Sequence, residues 1–84
     1  MQKNKNAYKT ISEAAKEIGL VNKKNNTANT HTLRFWEKNF KQIKPKILSG
    51  NRRYYSQKDI SFLKLIYDLL KNQGLTIRGA KKIL

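Results

Sequence analysis

Apolar residues recur along this chain at helical spacing, in stripes separated by short polar stretches. Ile11, Ala14, Ala15 and Ile18 fall at i, i+3, i+4 and i+7, one face of an α-helix. Thr10 and Glu13 form a T-x-x-E capping box at its start, and Gly19 is a natural left-handed stop. Val21 to Asn29 reads VNKKNNTAN, which has no core pattern and predicts a loop. Asn29 can cap a second helix from Thr30 to Phe40, with Leu33, Trp36 and Phe40 on its dry face. Pro45 ends helical possibilities. In KPKILSGNRRYYS, Ser49-Gly50-Asn51 separates two short extended runs, the pattern of a β-hairpin. Ser56 and Asp59 then open a third helix with Ile60, Leu63, Tyr67 and Leu70 in its stripe, widened by Phe62, Ile66 and Leu69 and closed by Gly74. Thr76 caps a fourth, with Ile77, Ala80, Ile83 and Leu84 on its apolar side.

The expected fold is therefore mainly α, four helices with a small β-hairpin wing, in the order of a winged helix-turn-helix. Residues 1–7 are polar and patternless, and read as a flexible basic arm preceding a single domain over 8–84. The helical stripes predict shared burial of Ile11, Ala14, Ile18, Leu33, Trp36, Phe40, Leu63 and Tyr67. Tyr55 is expected in the core, whereas Tyr54, on the other strand face, is open to packing or to contact with a partner.

Charge sharpens this picture. Nineteen Lys and Arg against five Asp and Glu give a net charge of +14 on 84 residues, which predicts a polyanionic partner. The charge is not evenly spread. Lys38 to Lys58 holds seven basic residues and no acidic one, and Arg34, Lys38 and Lys41 form a stripe on the second helix displaced from its apolar face. Lys44, Lys46, Arg52 and Arg53 decorate the hairpin. Glu37 is expected to balance Lys41 or to orient Arg34.

Several functions are disfavoured. With no cysteine and one histidine, His31, the chain lacks the ligand cluster of a catalytic metal, and it shows no nucleophile set, paired carboxylates or glycine-rich phosphate loop. An enzyme is not expected, nor any cofactor. No apolar run approaches the ~20 residues of a bilayer span, so the expectation is a cytoplasmic, nucleoid-associated protein without a membrane partner.

The segments YKTISEAAKEIGL, THTLRFWEKNF, KPKILSGNRRYYSQKDI and NQGLTIRGAKKIL resemble the MerR-type transcription regulators, over about Tyr8 to Leu84. The most specific part is TLRFWE, Thr32 to Glu37, followed in order by Arg53 to Ser56 and the downstream G-x-T. The resemblance implies a head that binds double-stranded DNA, its second helix in the major groove and its wing on the flanking backbone or minor groove. Arg34 and Arg53 match the arginines of the family motifs. Lys9, Thr32, Phe35 and Tyr54 stand where neighbouring contacts are implied, and Thr10, His31, Lys38 and Arg52 complete the candidate DNA-binding set. RNA polymerase at a promoter and a second copy of the full-length chain are the further partners implied.

Two departures from the family pattern stand out. Gly19 and Thr32 are separated by roughly eight residues more than the family's tight turn, an insertion over 21–29 that can bulge outward because closure entropy rises slowly with loop length. Lys23 and Lys24 on it can reach a further phosphate. The long helix that pairs two subunits in typical members does not follow within these 84 residues, so this head alone is expected to bind half a site weakly. Two alternatives stand beside this reading: an excisionase-like architectural protein that bends DNA, which shares the winged fold, and a basic RNA-binding module, which shares the charge.

Overall fold

The computed structural model describes residues 8–84, and the expected basic arm, residues 1–7, lies outside the described residues. Strand β1 (Tyr8–Thr10) leads into helix α1 (Ile11–Ile18), and α2 (Thr30–Asn39) follows a connecting segment. Strands β2 (Lys46–Leu48) and β3 (Arg52–Ser56) form the wing, and α3 (Gln57–Tyr67) and α4 (Ile77–Ile83) close the chain.

The helix starts follow from local hydrogen bonding. Thr10 Oγ1 accepts from the Glu13 amide and Glu13 Oε1 from the Thr10 amide, so both halves of the capping box are made. That backbone hydrogen bond holds the Glu13 carboxyl below its usual range. Ser56 and Asp59 make the same reciprocal pair at the start of α3. Asp59 is buried, and its second oxygen accepts from the Lys44 amide, which ties the segment after α2 to α3. Asn29 caps α2 and Thr76 caps α4. Gly19 ends α1 at φ +98°, a conformation that costs any residue with a Cβ, and such a Cβ would also stand 3.3 Å from the Tyr67 ring.

Helices α1, α2 and α3 enclose the core. Ala14, Ala15 and Ile18 meet Leu33, Trp36 and Phe40, with Tyr55, Ile60, Leu63 and Ile66 filling the space beyond. The two alanines let α1 and α2 approach closely. Trp36 stands edge-on to Tyr67 with ring centroids 6.4 Å apart, and Phe40 does the same with Phe62. Ile11 and Tyr67, expected in the core, are only partly buried against it, because each sits at the margin of its stripe. Leu20, Ile43 and Leu69 join the buried set instead.

Three elements depart from the sequence reading. The wing is a three-stranded antiparallel sheet in the order β1-β3-β2, because Tyr8, Lys9 and Thr10 pair with Ser56, Tyr55 and Tyr54. The third helix keeps α geometry only to Tyr67 and continues as a π turn over Asp68–Asn72, after which the Leu75 amide returns to the Leu69 carbonyl at 2.9 Å. The 21–29 segment is not an irregular loop: Val21 pairs with Ala28, and amide bonds run from Asn29 to the Leu20 carbonyl and from Asn22 to the Thr27 carbonyl, each 2.8 Å. It is a miniature antiparallel hairpin.

Candidate nucleic-acid interface

Residues directly opposite in the sheet share a face, so the pairing sorts the wing side chains. Tyr55 is fully buried, which puts its neighbours Lys9 and Arg53 on the inner face, toward the helices. Tyr8, Thr10, Lys46, Arg52 and Tyr54 fall on the outer face, where the Lys46 ammonium sits 5.2 Å from the Tyr8 ring centroid.

On the inner face the wing is fastened to α2 by one carboxylate. Glu37 accepts from Arg53 Nε at 3.0 and 3.2 Å, and its Oε1 accepts from the Tyr55 hydroxyl at 2.8 Å. The partners are 16 and 18 residues away, and both Glu37 and Arg53 side chains are mostly buried. This corrects the expectation that Glu37 serves Lys41 or Arg34: the carboxylate faces the sheet, where a buried hydroxyl and a guanidinium need an acceptor. Arg53 uses only Nε in this pair, so its terminal nitrogens stay available, aimed by a fixed stem.

Burial and the bond to Glu37 push the Tyr55 hydroxyl above the ordinary tyrosine range. The folded protein therefore holds this proton more tightly than the unfolded chain does. The associated stability is complete below the ordinary value of 10.0 and is lost as pH rises past it toward the folded value. Alkaline denaturation series are expected to show this decline, and Tyr55→Phe to flatten it; an unchanged alkaline limb in the variant would assign the decline to other groups.

Two clefts flank the exposed side of α2, and they share Arg34 and Arg53. One, beside the wing, is lined by Thr10, Ile11, Arg34, Asn51, Arg52, Arg53 and Tyr54. The other, along α2, is lined by Thr30, His31, Arg34, Phe35, Glu37, Lys38 and Arg53. Eight of the ten sequence candidates thus converge from three elements on one continuous surface: Thr10, His31, Arg34, Phe35, Lys38, Arg52, Arg53 and Tyr54. Lys9 and Thr32 line neither cleft. Lys9 lies 3.5 Å from Glu17 of α1, and the Thr32 amide is held by the Asn29 cap.

Sequence reasoning missed a third part of this surface. Phe35 and Asn39 of α2 face Ile77, Arg78, Lys81 and Lys82 of α4 across a further cleft. Its signal was present in IRGAKK, whose basic residues flank the buried Ala80, but which helix they adjoin is a tertiary fact. Phe35 is about half exposed, a large apolar side chain among the basic residues of this face.

Two helices meeting through small residues, the second bearing arginine and lysine outward, with an antiparallel wing beside them, define a winged helix-turn-helix protein. Residues 9–84 match the family described as MerR HTH family regulatory protein, and the chain belongs to it. It is accordingly a helix-turn-helix protein of DNA-binding transcription regulation, and double-stranded DNA is the partner that this membership implies. No curated protein and no solved structure matches the chain. No helix among the described residues is long and apolar enough to cross a membrane.

Proposed function

We propose that this protein binds a specific duplex sequence, with α2 in the major groove and the wing on the adjoining backbone, and regulates transcription from the promoter that carries it. The observation that supports this most is the shared position of Arg34 and Arg53 between the two clefts, one on the helix and one on the wing. A forked guanidinium on a groove-borne helix suits the O6 and N7 of guanine, and a second on the wing suits phosphate. Arg34, His31, Phe35 and Lys38 take the base-facing side. Thr10, Arg52, Arg53 and Tyr54 take the flanking strand, with Arg78, Lys81 and Lys82 meeting phosphates beyond the other end of α2.

In this reading two heads bind two half-sites as a homodimer, with RNA polymerase as the further partner at the promoter. The exposed Ile83, beside Ile77 and Leu84, gives α4 an apolar edge suited to a second copy. Selection of bound duplexes from a random DNA pool is expected to enrich a short motif and its inverted repeat. Enrichment of bent or pre-kinked duplexes without a motif would favour an architectural role, and preference for structured RNA would overturn the reading.

Glu37 provides a sharper mechanical check. Glu37→Leu removes a negative charge from a basic surface, so simple Coulomb attraction favours tighter DNA binding in the variant. If the carboxylate instead aims Arg53 and anchors the wing, the variant binds duplexes more weakly and loses about 1–3 kcal/mol of stability from the two donors left unpaired. Denaturation and duplex titration measure both. Tighter binding with unchanged stability would reduce Glu37 to a local charge.

A further inference from the structure

The Leu20–Asn29 hairpin is held by side-chain as well as backbone hydrogen bonds. Besides its ladder, the Asn22 side chain accepts from the Lys24 amide at 2.9 Å, the Asn25 side chain accepts from both the amide and the hydroxyl of Thr27, and the Asn26 amide returns to the Asn22 carbonyl. Its tip carries Lys23 and Lys24, both exposed, and neither has an acidic partner among the described residues. Lys9, Arg53 and Lys64, by contrast, are each paired with a carboxylate. No acidic residue occurs between Gly19 and Phe35.

The base of the hairpin adjoins the DNA-facing surface. Asn29, bonded to Leu20, is also the cap of α2, and the next two residues, Thr30 and His31, line the cleft that holds Arg34. From that base the ladder advances about two residues, near 7 Å, before the tip turns. With α2 in the groove as proposed, the closely spaced phosphates of a duplex, one negative charge about every 1.7 Å of axis, flank the helix end from which the hairpin starts.

We infer that the 20–29 hairpin is an additional DNA-backbone contact of this protein, a small second wing that places Lys23 and Lys24 on phosphates past the N-terminal end of α2. The inference rests on the duplex-binding reading above. Side-chain amides fix the tip's backbone in the free protein, so little ordering is needed when phosphate is met, and the contact is indifferent to base identity.

The test compares the parent protein with Lys23→Gln/Lys24→Gln and with Lys16→Gln/Lys71→Gln, which removes the same charge from exposed positions lining none of the clefts along α2. The measurement is duplex affinity against salt, with one enriched and one scrambled duplex. Two lost phosphate contacts lower the slope of log K against log salt by about 1.8, so between about 50 and about 200 mM salt the hairpin variant loses roughly tenfold less affinity than the parent on both duplexes. The control pair keeps the parent slope, and Lys23→Arg/Lys24→Arg restores it. A parent that binds duplex with a steep slope superimposed by the hairpin variant overturns the hairpin contact alone. Equal slope losses in the hairpin and control variants overturn it too, as an effect of net charge. A parent that binds no duplex overturns this inference and the duplex-binding reading together.

Discussion

Replacing Trp36 by alanine is expected to remove about 3–5 kcal/mol of stability, a large part of what a domain of this size holds. Trp36 is 3% exposed, lies between Leu33 and Phe40 on the dry face of α2, and meets the edge of Tyr67. Truncation forfeits the burial of the indole and leaves a cavity where α1, α2 and α3 converge, and a tightly packed core of this size cannot collapse to fill it. Small domains hold only about 5–15 kcal/mol in total, and each kcal/mol lowers Tm by about 4–8 °C. Thermal unfolding of the variant therefore shows a Tm lowered by well over ten degrees, or no cooperative transition at all. A loss of under about 1 kcal/mol would mean that Trp36 is not the centre of the core.

Much of this framework is legible in the sequence because local chemistry dictates it. Thr10 with Glu13 and Ser56 with Asp59 announce helix starts whose reciprocal hydrogen bonds the structure contains. Asn29 and Thr76 announce two more, and Gly19 adopts the left-handed stop expected of it. The 3.6-residue stripes identify Ala14, Leu33, Trp36, Phe40 and Leu63 as core, since a face that repeats apolar residues has nowhere else to go.

What was not legible depends on partners distant in the chain. Tyr8 to Thr10 is three residues long and has no strand signal of its own; it is a strand because β3 offers it a free edge. Glu37 looks like a surface acid when only its i+4 neighbour is visible, yet its partners lie on a strand 16 and 18 residues on. The asparagine-rich 21–29 segment reads as a loop because asparagine is a turn residue, but here the asparagine side chains order a hairpin by bonding its backbone. Among the candidate site residues, those at outward positions of α2 or on the wing lie together. Lys9 does not join them, although it shares a sheet face with Arg53: its ammonium lies against Glu17 of α1, a partner that adjacency in the chain does not reveal.

The second large effect belongs to Arg34, and it separates reading of sequence from attraction of charge. Arg34 is exposed on α2 and lines both clefts, without an acidic partner among the described residues. A bidentate contact to a guanine is worth about 1–3 kcal/mol of discrimination, about 5- to 150-fold in affinity, whereas a phosphate contact weakens every duplex alike. The decisive measurement is the affinity of the parent and of Arg34→Ala for an enriched duplex and for its scrambled counterpart, at one fixed physiological salt concentration. The account predicts a loss of that size on the enriched duplex and a much smaller loss on the scrambled one, so that preference for the motif largely disappears with the arginine. Equal losses on the two duplexes would contradict it, leaving α2 a phosphate-binding helix and this protein a DNA binder that does not read sequence through Arg34.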